Sequence, residues 1–389
     1  MKPTLNRSFW IDNLKSFITV LVVAHHAALD YATFSFFDKI TYINSTHPVV
    51  DNARWIGLDV FVSFNDTFFM ALMFLLSGLF FFGGLKNKGK LKLLADRGKR
   101  LGIAFVFAEL FIIPIAYIPA YYLANHKFKI GSFITDYLIH QQWPVGPPWF
   151  IWLLLAFNCL AALLPESFYS WAARLFIKLM EKPRSFFTIW FLIVALSLIP
   201  LSLWLGQYTW TGFGPFDFQL NRVLFYFVFF LFGAILGSVN WEDHLFKNKR
   251  LLGRSSRTWI IFSALSFGIV ELINYWGYGF MAAHFIGKTV ASLIFMLFFT
   301  GTTVTTCFAF ITIFKNYRNH TSEIWKSLST NAYGIYLFHY LFITWLQFAL
   351  FNIQIPALAK FLIVFVVSMA ASWGLVSILK RLKLVSSII

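Results

Sequence analysis

Charged residues are scarce in this chain. They make up 12% of its 389 residues, whereas apolar residues make up 59%. A soluble protein uses roughly 25% charged residues to cover its surface. A chain with so few cannot keep its whole surface in water. The composition therefore excludes a soluble enzyme or binding protein and predicts that lipid is the main solvent.

Cysteine is almost absent as well. The chain has two cysteines, Cys159 and Cys307, and both fall inside apolar stretches. Two cysteines in such positions exclude a disulfide framework and a cysteine-based metal site. We interpret both as buried structural thiols, and we identify no other metal site in the sequence.

Long apolar runs fill most of the remaining sequence. A membrane helix needs about 20 mostly apolar residues, and runs without polar alternation favour helices over a barrel. We predict an all-α polytopic membrane protein that forms a single membrane-embedded domain over residues 1–389, with no soluble domain. The ten predicted spans are 14–34, 58–85, 101–123, 148–165, 186–206, 222–239, 258–276, 286–314, 331–351 and 357–379.

Basic residues outnumber acidic ones, which gives a formal charge of +16. In a soluble protein this excess would suggest nucleic-acid binding. With the N-terminus inside, 24 of the 32 Lys and Arg fall in predicted cytoplasmic segments and four in external ones. This distribution follows the positive-inside rule. It accounts for the charge without nucleic acid and predicts that both termini are cytoplasmic.

The first span carries several polar residues, and charge at membrane depth is costly enough to mark functional candidates. Lys15 and His26 are eleven residues apart, so they share a helix face and lie about 16 Å apart along the axis. A cation at the cytoplasmic surface is suited to hold a phosphate, and a neutral imidazole is suited to general-base chemistry. Asp30 follows His26 at i+4, so we expect a hydrogen bond between them. The alternative is a structural pair, His25 and His26, satisfied by neighbouring helices.

Two arginines stand out from the basic segment 86–100. Most charges in that segment are explained by the positive-inside rule. Arg97 and Arg100, however, lie at i, i+3 just before the third span. A cytoplasmic helix N-terminus also favours anions, so the two guanidiniums are a candidate phosphate clamp.

Three further motifs are weaker when taken singly. Ser77 precedes Gly78 in the second span, a small pair typical of close helix packing. Trp149 follows a Gly-Pro-Pro turn at the start of the fourth span, and we interpret it first as an aromatic anchor at the membrane interface. Tyr336 and His339 share a face of the ninth span, where His339 is at mid-depth.

Other polar or small residues in the spans have structural explanations. Gly233 and Gly237 form a GxxxG pattern, which predicts close packing of two helices. Glu109, Glu271 and Arg222 are expected to pair with other charges or to extend toward the membrane surface.

The motifs, in their order along the chain, resemble the acyltransferase 3 family of bacterial integral-membrane acyltransferases. Its Arg-x10-His, Phe-Phe-x-x-Ser-Gly, Arg-x-x-Arg, Gly-x-x-Trp-Phe and Tyr-Leu-x-His motifs are similar to segments spread over nearly the whole chain. These segments are Lys15 with His26, Met73 to Gly78, Arg97 to Arg100, Gly146 to Phe150 and Tyr336 to His339.

Two departures from the family pattern matter. The first-helix arginine is Lys15 here, which keeps the charge but loses the bidentate fork. The fourth span lacks the glutamate of the polysaccharide-acetylating branch, since Ala156 and Asn158 are uncharged. The chain is therefore closer to the stand-alone branch that includes the periplasmic glucan succinyltransferase.

The resemblance implies a multi-pass enzyme of the bacterial inner membrane. It would transfer an acetyl or succinyl group from cytoplasmic acyl-CoA to a hydroxyl of an extracytoplasmic glycan, a lipid-linked sugar or another acceptor. Acyl-CoA would be a substrate, with no permanently bound cofactor, and the remaining partner would be membrane lipid. The implied roles are catalysis by His26 and Asp30, donor binding by Lys15, Ser77, Arg97 and Arg100, and acceptor binding or support by Trp149, Tyr336 and His339.

A proton-coupled secondary transporter is the alternative function. Many spans and a His–Asp pair near the membrane midplane would suit proton coupling. The sequence shows no clear internal repeat and no matched pair of broken helices, which argues against transport. The basic residues at Arg97 and Arg100 would also lack a purpose in a transporter.

Overall fold

The computed structural model describes residues 8–239, 241–247, 256–277, 283, 287–320 and 322–382. Nearly all of this part of the chain is helical, which confirms the predicted all-α membrane class. The only strands among the described residues form one short antiparallel hairpin, β1 (Trp210–Thr211) and β2 (Phe218–Gln219), in which Trp210 pairs with Gln219.

Sixteen α-helices are described. They are α1 Phe9–Leu29, α2 Ile56–Gly78, α3 Phe81–Lys88, α4 Lys90–Arg97, α5 Ile103–Phe107, α6 Ile113–Asn125, α7 Ile130–Thr135, α8 Trp149–Leu163, α9 Glu166–Met180, α10 Pro183–Leu205, α11 Val223–Leu236, α12 Trp241–Lys247, α13 Ser256–Leu272, α14 Gly287–Tyr317, α15 Glu323–Leu350 and α16 Ala357–Leu379. The π-helical turns Gly98–Gly102 and Ala108–Ile112 join α4, α5 and α6 into one continuous helical segment.

Seven helical stretches of the described chain are long and apolar enough to cross a membrane, or eight if the bent pair α8 and α9 forms one span. The seven are Ile56–Lys88, Lys90–Asn125, Pro183–Leu205, Ser256–Tyr275, Gly287–Tyr317, Glu323–Leu350 and Ala357–Leu379. The segment Leu220–Leu236 is apolar but shorter, and the 21-residue α1 carries several polar side chains. Each predicted span overlaps a helix, while the count of ten and the orientation remain predictions.

Two boundaries differ from the sequence prediction. The first span was expected to reach residue 34, but α1 ends at Leu29, and the next side chain, Asp30, bonds to the following loop. The predicted cytoplasmic segment 166–185 contains α9, which bends 95° away from α8. The Tyr169 hydroxyl donates to the carbonyl of Ala161 at 2.6 Å and holds this bend.

Helices α2 and α11 approach each other through glycines. A Cβ atom added to Gly78 would lie 2.1 Å from the Phe230 carbonyl oxygen, and one on Gly233 would lie 2.1 Å from that of Leu75. One on Gly237 would be equally crowded. The predicted packing role of Gly233 and Gly237 is confirmed, since these glycines let the backbones of α2 and α11 come into contact.

Helix α1 lies in the interior of the protein. It packs against α2, α14, α15 and α16. Its polar side chains therefore face other helices, as expected for ionisable groups at membrane depth.

Buried ion pairs tie the helices together. Asp51, in the loop between α1 and α2, pairs with Lys360 of α16, and the two side chains are only 3% and 2% exposed. Arg222 binds Asp66 of α2 through two hydrogen bonds of 2.8 and 2.7 Å. The expectation that Arg222 pairs with another charge is therefore confirmed.

The two cysteines differ from each other. Cys307 is buried in α14 as predicted, but Cys159 is exposed on α8. The interpretation of Cys159 as a buried thiol was wrong, because it took an apolar stretch to mean burial, whereas a membrane helix can also be apolar where it faces lipid.

Candidate active site

Two histidines from distant parts of the chain meet inside the protein. His26 lies on α1 and His339 on α15, and these helices pack side by side. His26 Nδ1 lies 3.2 Å from His339 Nε2. His339 is fully buried, whereas His26 is partly exposed. The structure therefore brings together the first-helix motif and the late Tyr-Leu-x-His motif.

The hydrogen bonds assign a tautomer to each ring. His339 Nδ1 lies 2.6 Å from the carbonyl oxygen of Tyr336, and since a carbonyl can only accept, this nitrogen carries the proton. In the neutral ring His339 Nε2 then holds a lone pair and accepts from His26 Nδ1. The same nitrogen of His26 lies 2.9 Å from the carbonyl oxygen of Val22, which also requires a proton there.

His26 Nε2 is consequently left with a lone pair. It forms no hydrogen bond with the described part of the chain, and it is not among the enclosed polar atoms. A neutral imidazole held through Nδ1–H with Nε2 unoccupied is the form required of a general base. The geometry can therefore support removal of a proton from a bound hydroxyl group.

The adjacent histidine faces another way. The His25 and His26 rings are 5.5 Å apart and nearly perpendicular, and His25 packs against Phe69 of α2 at 5.0 Å. His26 contacts Tyr340 instead, with the ring centroids 5.5 Å apart. Of the two histidines in the first span, only His26 contacts His339, which agrees with the helix-face argument made from spacing.

Asp30 does not hydrogen-bond His26 in the structure. Its Oδ1 accepts from the backbone N–H of Asp51, and the carboxyl is fully buried. Asp30 is the C-cap residue of α1, and its carboxyl is occupied by the loop between α1 and α2 instead of by His26. Its observed contacts hold the loop between α1 and α2, while His339 takes the place expected of Asp30 beside His26.

Three cations gather at the other end of α1. The charge of Lys15 interacts with those of Arg97 and Arg100, so the sequence-predicted donor residues lie near one another. Lys15 Nζ lies 3.7 Å above the ring of Phe80. Arg100 lies over Tyr333 at 5.4 Å. We call Lys15, Arg97 and Arg100 the basic group.

A further cation lies beside the basic group. Lys380 follows α16, where it donates a hydrogen bond to the carbonyl of Thr330. Partial burial and the nearby charge of Arg100 together lower the pKa of Lys380. Positive charge is therefore concentrated here, as expected of a surface that binds phosphate groups.

The face of α1 between the basic group and His26 is closed in this structure. Lys15 and His26 are both partly exposed. Thr19 and Val22, which lie between them on the same face, are 3% and 1% exposed. A ligand that reached from the basic group to His26 would have to separate packed side chains.

The remaining predicted site residues lie around the histidine pair and the basic group. Ser77 is partly exposed near the end of α2, one turn before Phe80, which contacts Lys15. Tyr336 donates from its hydroxyl to the Pro147 carbonyl and so joins α15 to the turn before α8. Gly146 in that turn has φ +54°, a conformation that favours glycine.

Trp149 packs in a cluster of aromatic side chains. It is the first residue of α8, and its ring lies 5.7 Å from Tyr226 and 5.8 Å from Trp210 of the hairpin. These contacts place it beside the hairpin of β1 and β2 and not beside the basic group. It contacts Phe150, whose ring lies 5.8 Å from Tyr336.

From the sequence we did not identify two polar residues that the structure places near the site. His47, from the loop between α1 and α2, packs its ring 5.2 Å from Tyr340, which also contacts His26. Asp66 pairs with Arg222. Asp66 could have been found because it is a charge within a predicted span, whereas a loop histidine has no comparable signal.

A separate groove of about 640 Å³ lies between α2, α13 and α14. It is lined mainly by apolar side chains such as Phe64, Phe267 and Phe310, with Glu271 among them. Its lining includes no residue of the histidine pair or the basic group. Among the residues described, no three His, Cys, Asp or Glu side chains are arranged to hold a metal ion.

Comparison with known families identifies a family match. The sequence model of a family described as an acyltransferase domain matches residues 8–377, a range that contains both histidines and the whole basic group. No curated protein and no solved structure matches the chain.

Proposed function

Because the match over residues 8–377 shows that the chain belongs to the acyltransferase 3 family and is a membrane acyltransferase, we propose that its donor is cytoplasmic acyl-CoA. We further propose that its acceptor is a hydroxyl of an extracytoplasmic glycan or lipid-linked sugar, and that the group transferred is acetyl or succinyl.

One observation carries the proposal. His26, with Nε2 available as a base, lies on the same helix as Lys15, and Lys15 is grouped with Arg97 and Arg100. Eleven residues of helix separate Lys15 from His26, or about 16 Å. A molecule with anionic phosphates at one end and a reactive thioester at the end of a long thin arm suits that separation.

Donor binding is assigned to the basic group. Guanidinium groups make strong charge-assisted hydrogen bonds to phosphate oxygens, so Arg97 and Arg100 would hold the phosphates of CoA. Lys15 would add a third charge. Ser77, one turn from the Phe80 ring below Lys15, would contact the arm of the donor.

The reaction is direct transfer. His26 Nε2 accepts the proton of the acceptor hydroxyl as the oxygen attacks the thioester carbonyl carbon. The new C–O bond forms, the C–S bond breaks, and the proton passes from His26 to the departing thiolate of CoA. His339 keeps the His26 ring in the productive tautomer and accepts from Nδ1–H throughout.

Donor entry requires movement of α1 or its neighbours. Thr19 and Val22 are buried between the basic group and His26, so binding of the phosphates would come first and opening of the packed face second. A path that opens only around the donor would also keep water away from the thioester. Tyr336 lies one turn from His339 on α15 and bonds to the turn before Trp149, so both residues would support the acceptor beside the histidine pair.

The function is tested with purified protein in lipid nanodiscs. Acyl-CoA carrying a labelled acyl group is mixed with the envelope glycan fraction of a strain that lacks the protein, and both free CoA and labelled glycan are measured. We expect equal amounts of the two products from the unchanged chain, none from His26→Ala, and substantial activity from His25→Ala.

Two results would contradict the proposal. If His26→Ala retained activity and His25→Ala lost it, the general base would be His25 and the assignment to His26 would be wrong. Absence of CoA release and of thermal stabilisation by CoA would remove the donor assignment. Substrate-driven proton flux in liposomes, observed together with that absence, would favour a transporter.

A further inference from the structure

His47 is a buried polar side chain that the mechanism above leaves unused. It belongs to the loop between α1 and α2, outside the membrane helices, yet its side chain is only 2% exposed. Its ring lies edge-on to Tyr340 at 5.2 Å, and His26 lies edge-on to the same tyrosine at 5.5 Å. His339 precedes Tyr340 on α15, and their rings lie 6.3 Å apart. Three histidines from three different elements therefore surround Tyr340.

Neither ring nitrogen of His47 makes a hydrogen bond of ordinary geometry within the described chain, although the backbone of Val49 interacts with the ring. Leaving a buried polar group unpaired is costly. Burial lowers the pKa of His47 to about 3, so its ring is neutral and carries one N–H and one lone pair. The ring is thus a hydrogen-bonding group held against Tyr340, which also contacts the catalytic base His26.

The loop that carries His47 is held firmly. Val49 is fully buried, Asp51 pairs with Lys360, and the backbone N–H of Asp51 donates to Asp30. Arg54 donates to the carbonyl of Ala32 at 3.2 Å. These contacts explain why Asp30 is buried at the end of α1. They fix the position of His47 relative to His26, which a loose loop could not do.

We propose that His47 is the acceptor-binding residue on the extracytoplasmic side, where its N–H donates to the oxygen of the sugar hydroxyl that His26 deprotonates. This inference rests on the proposed function. The hydroxyl would donate its proton to His26 Nε2 while its lone pair accepted from His47. The same N–H would stabilise the negative charge that develops on that oxygen as it attacks.

The geometry also separates donor from acceptor. The basic group lies at the opposite end of α1 from the loop of His47. A residue at the loop end would therefore affect binding of the sugar and not that of CoA. This separation gives a readout that loss of packing alone would not produce.

The test measures apparent KM values of His47→Ala and His47→Gln in nanodiscs, with the envelope glycan fraction titrated by sugar content. For His47→Ala we expect the KM for glycan to rise about three- to ten-fold, as for loss of one hydrogen bond, and the KM for acyl-CoA to stay within two-fold. Gln carries an N–H of similar reach and should recover most of the difference. His140→Ala is the control, since His140 is an exposed histidine bonded to Asp136.

Each outcome is decisive. An unchanged KM for glycan in both His47 variants would overturn the proposal, and so would equal increases for glycan and acyl-CoA, which would indicate a packing role. If His47→Ala does not fold, loss of thermal stabilisation by CoA would show it. In that case His47→Gln and His47→Asn decide, through the change in KM for glycan compared with the change in KM for acyl-CoA. Absence of transfer by the unchanged chain would overturn the proposed function itself, and this assignment with it.

Discussion

Replacement of His339 tests the tautomer argument on which the catalytic role of His26 depends. His339 does not contact the acceptor in the proposed mechanism; it accepts from His26 Nδ1 at 3.2 Å and positions the ring. The Val22 carbonyl, at 2.9 Å from the same nitrogen, would still hold the productive tautomer in its absence. The loss in His339→Ala should therefore be partial.

The expected magnitude follows from counting hydrogen bonds. One net hydrogen bond between neutral groups contributes about 0.5–1.5 kcal/mol, which corresponds to a loss of about two- to thirteen-fold in kcat. Removal of the base in His26→Ala should cost about 10²- to 10⁴-fold. His339→Gln presents a side-chain carbonyl of similar position and should lose less than His339→Ala.

The measurement is a double-mutant cycle on kcat, read as release of free CoA in the presence of excess glycan acceptor. If His339 acts only through His26, the double variant should be as slow as His26→Ala alone, because the two effects are not independent. Thermal unfolding of each variant controls for the cavity that Ala leaves at a fully buried position.

Two results would refute this reasoning. If His339→Ala were as inactive as His26→Ala while remaining folded, His339 itself would take part in the proton transfer. If the losses of the two single variants multiplied in the double variant, the two imidazoles would act separately, and the assigned direction of the hydrogen bond between them would be wrong.

Three further outcomes are expected. In Arg97→Gln with Arg100→Gln the KM for acyl-CoA should rise at least ten-fold with kcat nearly unchanged, because charge-assisted bonds to phosphate are lost; an unchanged KM in steady-state assays would remove the phosphate clamp. Lys360→Met leaves the Asp51 carboxylate buried without its cation and should destabilise the fold by about 3–5 kcal/mol, seen as a lower Tm in detergent; an unaltered Tm would argue against a stable pair. Gly78→Ala places a Cβ 2.1 Å from a backbone oxygen of α11 and should reduce the yield of folded protein on size-exclusion chromatography; normal yield and Tm would show that the two helices can move apart at little cost.

The fold class could be predicted because membrane helices have a strong local signal. Runs such as 357–379 are apolar throughout, and the structure has a helix at those bounds. The prediction was weaker where a helix ends or bends. Asp30 ends the first helix through its bond to a residue 21 positions away, and α9 turns against α8 through a tyrosine contact. Both are tertiary interactions, which no local pattern reveals.

The site could be predicted in part for the same reason. Lys15 and His26 share a helix face by spacing alone, and the i, i+3 arginine pair lies near Lys15. The partner of His26 was expected at i+4 on the same helix, but it comes from α15, 313 positions away. His47 reaches the site from a loop, and no periodicity marks such a residue.

The central claim is that His26 moves an acyl group from CoA to an envelope hydroxyl. The most direct measurement is the mass of envelope glycans from cells that contain either the unchanged chain or His26→Ala at equal protein levels. We expect an added acyl mass with the unchanged chain and no added mass with His26→Ala. The same added mass with both proteins would contradict it.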